Sequence, residues 1–90
     1  MEAWPNQTKA HQNIFIDSLW REHRKTVNFP TTAHEATQMS YEASIMEDWY
    51  YANHQDLDAL TYARGLRLAR RDASSYLGEA EHLTKKELNV

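Results

Sequence analysis

No cysteine occurs in this chain. Disulfides, thiolate metal sites and cysteine nucleophiles are excluded together, and a reducing, cytoplasmic setting is the expectation. Glycine and proline occur only twice each, and no alternating run of β-branched residues exceeds a few positions. With few turn formers and few strand formers, long helices remain, so the chain reads as all-α. Long apolar runs are also missing. The longest spans a few residues, far short of the roughly 20 that a membrane helix needs, so no membrane partner is expected. The opening MEAWPNQTKAHQN lacks a basic start followed by an apolar stretch, and no secretion signal is read there. Without secretion, the glycosylation pattern Asn6-Gln7-Thr8 has no consequence.

What is present is the balance of an ordinary globular chain. Of its 90 residues, 41% are hydrophobic and 26% charged. That length suits one domain near the lower limit for a self-sufficient core, with residues 1–5 and 84–90 expected to fray. The net charge of −3 weighs against a dedicated nucleic-acid binder, whose domain is usually basic.

Hydrophobic spacing divides the chain into three helices. The first is expected over about residues 7–25, with Asn6 or Thr8 as its cap. Phe15, Ile16, Leu19, Trp20, His23 and Val27 share an arc of roughly 140°, with Lys9, Asp17, Arg21, Arg24 and Lys25 outside it. That pattern describes an amphipathic helix with an apolar stripe facing the core and His23 as a core or boundary residue. Pro30 then forces a connection. In Thr32-Ala33-His34-Glu35 the spacing is that of a capping box, in which Thr32 bonds the Glu35 amide and Glu35 bonds back to Thr32.

The second helix, about 33–53, carries two stripes. Ala36, Met39, Ala43, Met46 and Tyr50 form a seam for another helix. Tyr41, Ile45, Trp49 and Ala52 lie roughly 130° further round. Ser40 and Ser44 are placed on its polar arc. A helix with two apolar faces belongs between neighbours or in an interface. Downstream, the stripe Ala59, Tyr62, Leu66, Ala69, Ala73, Tyr76, Ala80 and Leu83 is out of phase with the first seam. The change predicts a turn near residues 53–57, with Asn53 or Asp56 capping a third helix over about 57–77 or beyond, where Gly78 ends or kinks it. The second and third helices should form an antiparallel hairpin, because their seam is rich in alanine. The first helix should cover part of the Tyr41, Ile45 and Trp49 face.

Four arginines, Arg64, Arg67, Arg70 and Arg71, fall within an arc of roughly 120°, and three of the four point well away from the seam. None has an acid three or four positions away on its own helix. Residues 32–60 hold six acids and no lysine or arginine, a block pattern that favours complementary association. Counter-charges for the arginines are expected from Asp17 or Glu22, from a second subunit, or from an external anion. Tyr41, Trp49 and Tyr51 are the candidate interface aromatics, since aromatics carry much of the energy of interfaces.

The spacing Glu79-x-x-His82 occurs once, whereas helical di-iron sites use it in pairs. Neither a metal nor a cofactor is expected. No serine, histidine and acid arrangement follows from spacing, and the long loops that usually carry active sites are missing. The preferred function is therefore a small, non-enzymatic, self-associating helical protein that binds another protein. Such proteins act as adaptors, inhibitors or modulators, a size class that phages and mobile elements also use. The alternatives place nucleic acid, or a small anion or nucleotide, on the face from Arg64 to Arg71.

Overall fold

The computed structural model describes residues 9–89. They form α1 (Lys9–Thr26), α2 (Ala33–Ala52), a single 3-10 turn (His54–Asp56) and α3 (Ala59–Leu88). The described residues contain no strand, and the fold is the all-α three-helix arrangement expected from the spacing. The caps expected at Asn6 or Thr8, and the tail 1–5, lie outside the described residues.

α2 and α3 are the antiparallel hairpin. Ala36, Ser40 and Ala43 of α2 are buried, as are Gly65, Ala69, Ala80 and Leu83 of α3. Small side chains on both sides let the two backbones approach closely. Ser40 belongs to this contact, not to a polar arc. Its hydroxyl donates to the Ala73 carbonyl at 2.8 Å, which satisfies a buried polar group across the seam.

The turn between the helices falls where the phase change places it, but its cap is different. Asn53 closes α2, donating its backbone N–H to the Trp49 and Tyr50 carbonyls and its side-chain amide to Trp49 at 2.8 Å. Asp56 sits within the 3-10 turn. The first extended residue before α3 is Asp58, whose carboxylate accepts from Thr61 N at 3.0 Å. At the start of α2, Thr32 accepts from Glu35 N at 3.1 Å as expected. The Glu35 carboxylate, however, reaches Thr31 instead of Thr32, accepting from its N at 2.9 Å and its hydroxyl at 3.0 Å.

α3 runs unbroken through Gly78 as far as Leu88. The tail expected to fray from Thr84 is helical over most of its length. Glu87 fastens it by accepting from Ala33 N at 2.9 Å, one of the open donors at the start of α2.

α1 departs most from its amphipathic reading. Asn13 and Asp17 are buried, and Trp20, Arg24 and Val27 are half-buried. Phe15 and Leu19 are each 54% exposed and Ile16 38%, and His23, expected at the core or its boundary, is exposed. In projection the packed side is centred roughly 90° from the apolar stripe. Only Trp20 and Val27, at the edge of that stripe, face inward. The hairpin presents polar partners at this position, and the polar side of α1 matches them. Of the second stripe on α2, Trp49 alone is drawn in, while Tyr41 and Ile45 remain 65% and 49% exposed.

Candidate functional site

Three sets of side-chain hydrogen bonds hold α1 in this orientation, beside an exposed ion pair of Lys9 with Asp56 at 3.8 Å. Asn13 donates to the Asn53 side chain at 3.2 Å. Arg24 grips Asp72 with two bonds, 2.7 and 2.8 Å, and its guanidinium lies 5.6 Å from the centre of the Trp20 ring. This forked bond raises the Arg24 pKa above its ordinary value, against the opposing effect of burial. Asp17 stands between them. It accepts the Tyr50 hydroxyl through one carboxylate oxygen and Arg21 Nε, at 3.0 Å, through the other.

Tyr50 is the centre of this arrangement and is fully buried. Trp20 and Trp49 meet its ring edge-on, at 6.0 and 4.9 Å between centres. Gly65 leaves room for it, since a Cβ at that position would overlap the ring. Burial first, and then the bond to the Asp17 carboxylate, push the Tyr50 hydroxyl well above its ordinary pKa. The hydroxyl therefore acts as a fixed donor. No buried side-chain nitrogen or oxygen among the described residues lacks a hydrogen-bond partner.

A charged, satisfied seam on one side of α1 leaves its other side to solvent. Phe15, Ile16 and Leu19 form an apolar ridge there, with Leu19 four and three positions beyond the other two and so on the same side of the helix. Tyr51, one of the candidate interface aromatics, is 46% exposed, and its carbonyl lies 3.0 Å from His54 Nδ1. Tyr41 is also open. Trp49 is instead half-buried against Tyr50 and serves the core.

The four arginines are all exposed. Arg70 reaches Glu47 of α2 at 3.9 Å, and the charge of Arg64 is felt by both Tyr50 and Asp58. Arg67 and Arg71 have no ion pair among the described residues. The acids of the first helix do not serve them, because Asp17 is held by Tyr50 and Arg21, and Glu22 pairs with Lys25 at 3.4 Å. Tyr62, Ala63 and Leu66 floor a shallow groove edged by Arg67 and Arg70. Glu79 is half-buried and His82 exposed. No group of three or more metal-binding side chains gathers among the described residues.

Spacing placed Tyr50 on the seam and Asp17 among the counter-charges of the arginines, but the bond between the two, the close approach at Gly65 and the pair Arg24–Asp72 did not follow from it. A signal for them exists. Asn13, Asp17, Trp20, Arg24 and Val27 follow the alternating four-and-three spacing of a packed helix face, although three of the five are polar. The molecule is thus an all-α three-helix protein with an inward polar seam and outward apolar and basic faces. No helix among the described residues is long and apolar enough to cross a membrane. No protein-family model, curated protein or solved structure matches the chain.

Proposed function

We propose that the protein is a small, non-enzymatic interaction protein that associates with itself and acts by binding another protein, as an adaptor, inhibitor or modulator. One observation carries this reading: α1 is pinned by its polar side, so Phe15, Ile16 and Leu19 face solvent. Contiguous apolar surface of this kind marks association sites. Tyr41 and Tyr51 on α2 supply exposed aromatics for the same purpose, in keeping with the enrichment of such residues in interfaces.

Sedimentation of the full chain over a range of concentrations tests the reading. The wild type should associate, and Leu19→Glu should weaken that association at unchanged helicity and Tm, because Leu19 makes little contact within one copy. A chain that stays monomeric at the highest attainable concentration, or a Leu19→Glu variant that associates like the wild type, sinks it.

A second reading is supported by Arg67 and Arg71, which lack counter-charges among the described residues. It makes the protein a nucleic-acid-associated regulator, or a sensor of a small anion or nucleotide. Binding to random duplex DNA with a steep salt dependence, weakened by Arg67→Glu, is its expected signature. A nucleotide sensor should instead melt at higher temperature in the presence of its ligand.

A further inference from the structure

Two exposed faces of the hairpin match one another, and they lie on opposite sides of the molecule. On α2, Tyr41 and Ile45 are exposed and project roughly 140° to 180° from the buried line of Ala36 and Ala43. Glu42 and Asp48 flank this apolar spine. Both are exposed, and neither has an ion pair among the described residues. On α3, Arg67 and Arg71 project roughly 180° from the buried line of Gly65, Ala69 and Ala80. Leu60, 71% exposed, projects between these two arginines.

Glu42 and Asp48 are separated by about 9 Å along their helix, and Arg67 and Arg71 by about 6 Å along theirs. Each face thus sets two open charges beside exposed apolar side chains, and the signs are opposite. Because α2 and α3 are fastened back to back, one copy cannot bring its own two faces together. The Arg70–Glu47 pair at 3.9 Å is the contact the hairpin makes at its edge, and it leaves Glu42, Asp48, Arg67 and Arg71 unused.

We infer that a second copy of this chain occupies the basic face, docking the Tyr41–Ile45 face of its α2, with Glu42 and Asp48, onto the α3 face that carries Leu60, Arg67 and Arg71. The inference shares with the reading above only that the chain associates with itself, and it places the contact on surfaces other than the Phe15, Ile16 and Leu19 ridge. The contact joins two different surfaces, so it does not close on itself as a two-fold dimer does. Each added copy presents a fresh face of both kinds, and growth continues until a ring closes. The apolar strips supply contact area, and the charges set the register and reject the wrong orientation.

Charge exchange tests it. In low salt the wild type should grow beyond a dimer as its concentration rises, and high salt should shrink the particles because the charges are exposed. Arg67→Glu with Arg71→Glu should stop this growth, as should Glu42→Lys with Asp48→Lys. All four substitutions in one chain should restore it, because the signs match again. All four positions are exposed, and circular dichroism verifies that the fold is intact. Growth that the paired arginine reversal leaves unchanged overturns the inference, and so does failure of the four-fold exchange to restore it. Loss of DNA binding in the arginine reversal, with assembly untouched, also overturns it and assigns those side chains to a polyanion. Leu19→Glu separates this idea from the apolar reading. Salt-sensitive growth that survives Leu19→Glu supports the α2-to-α3 contact. Association lost in Leu19→Glu but unchanged in every charge variant leaves the apolar ridge standing and overturns the head-to-tail contact.

Discussion

The ring of Tyr50 lies against the bare Cα of Gly65, in the space that a Cβ would occupy. Gly65 is in the interior of α3, where glycine weakens a helix by about 0.5 to 1 kcal/mol relative to alanine. The close approach of the ring explains why it is there. Tyr50 is hemmed in by Trp20 and Trp49 and tied to Asp17, so it has little freedom to withdraw from an added methyl group.

Gly65→Ala is therefore expected to destabilise the fold by about 1 to 3 kcal/mol, the usual range for overpacking, despite its better helix propensity. Gly78 is the internal control. Nothing lies within 4 Å of a Cβ at that position, and Gly78→Ala should stabilise by about 0.5 to 1 kcal/mol. Urea unfolding of the two variants should move the midpoints in opposite directions.

Removing the Tyr50 hydroxyl tests the polar seam without disturbing ring packing. Tyr50→Phe leaves one oxygen of the buried Asp17 carboxylate without its donor, at a cost of about 1 to 3 kcal/mol. Asp17→Asn in the same chain should recover part of that loss, since a neutral amide is less costly to leave under-bonded. Equal and additive losses in a double-mutant cycle would show that the two groups do not depend on each other.

Arg24→Lys should behave as a disruptive change. Lysine keeps the charge but cannot make the forked pair of bonds to Asp72 or stack on Trp20 in the same way. A loss of about 1 kcal/mol is expected, smaller than for a fully buried pair because the Arg24 side chain is 26% exposed. Amide hydrogen exchange should locate the effect, with α1 opening more readily than the hairpin.

Acid and alkali should weaken the protein through different groups. Hydrogen bonds from Thr31 hold Glu35 below its ordinary pKa of 4.5, and those from Thr61 hold Asp58 below 3.8. A carboxylate with a lowered folded pKa contributes its full stability above the unfolded value and loses it as pH falls through the folded one. Tm should therefore drop at pH below about 4.5, from the caps of α2 and α3. Asp58→Asn keeps a capping oxygen and should flatten part of that slope. Tyr50 works in the other direction. Its raised pKa makes its contribution complete below the ordinary tyrosine value of 10.0 and progressively lost above it. In Tyr50→Phe that alkaline slope should disappear.

The helices and the breaks between them were largely legible in the sequence, since they follow from local chemistry, whereas the cap and the far end of α3 were not. Proline interrupts the chain at residue 30, Thr32 presents a hydroxyl to the Glu35 amide, and the phase of the apolar spacing changes near residue 55. The alanine-rich seam of α2 and α3 was legible for the same reason, because small side chains at regular intervals allow only close helix packing. The direction in which α1 faces was not legible. Apolar periodicity places Phe15, Ile16 and Leu19 inward, and that expectation fails because specific partners compete with general burial. Asn53, Tyr50 and Asp72 come from distant parts of the chain and converge only once the hairpin has formed. Together they satisfy Asn13, Asp17 and Arg24, whose burial without partners would be costly. The exposure of Arg64, Arg67, Arg70 and Arg71 followed from phase along a single helix. Which of them is neutralised depended on the neighbouring helix, where Glu47 meets Arg70 and leaves Arg67 and Arg71 open. Spacing along the chain thus determined the helices and the faces they carry, while tertiary structure decided which faces meet, because only folding brings charges from different helices within bonding distance.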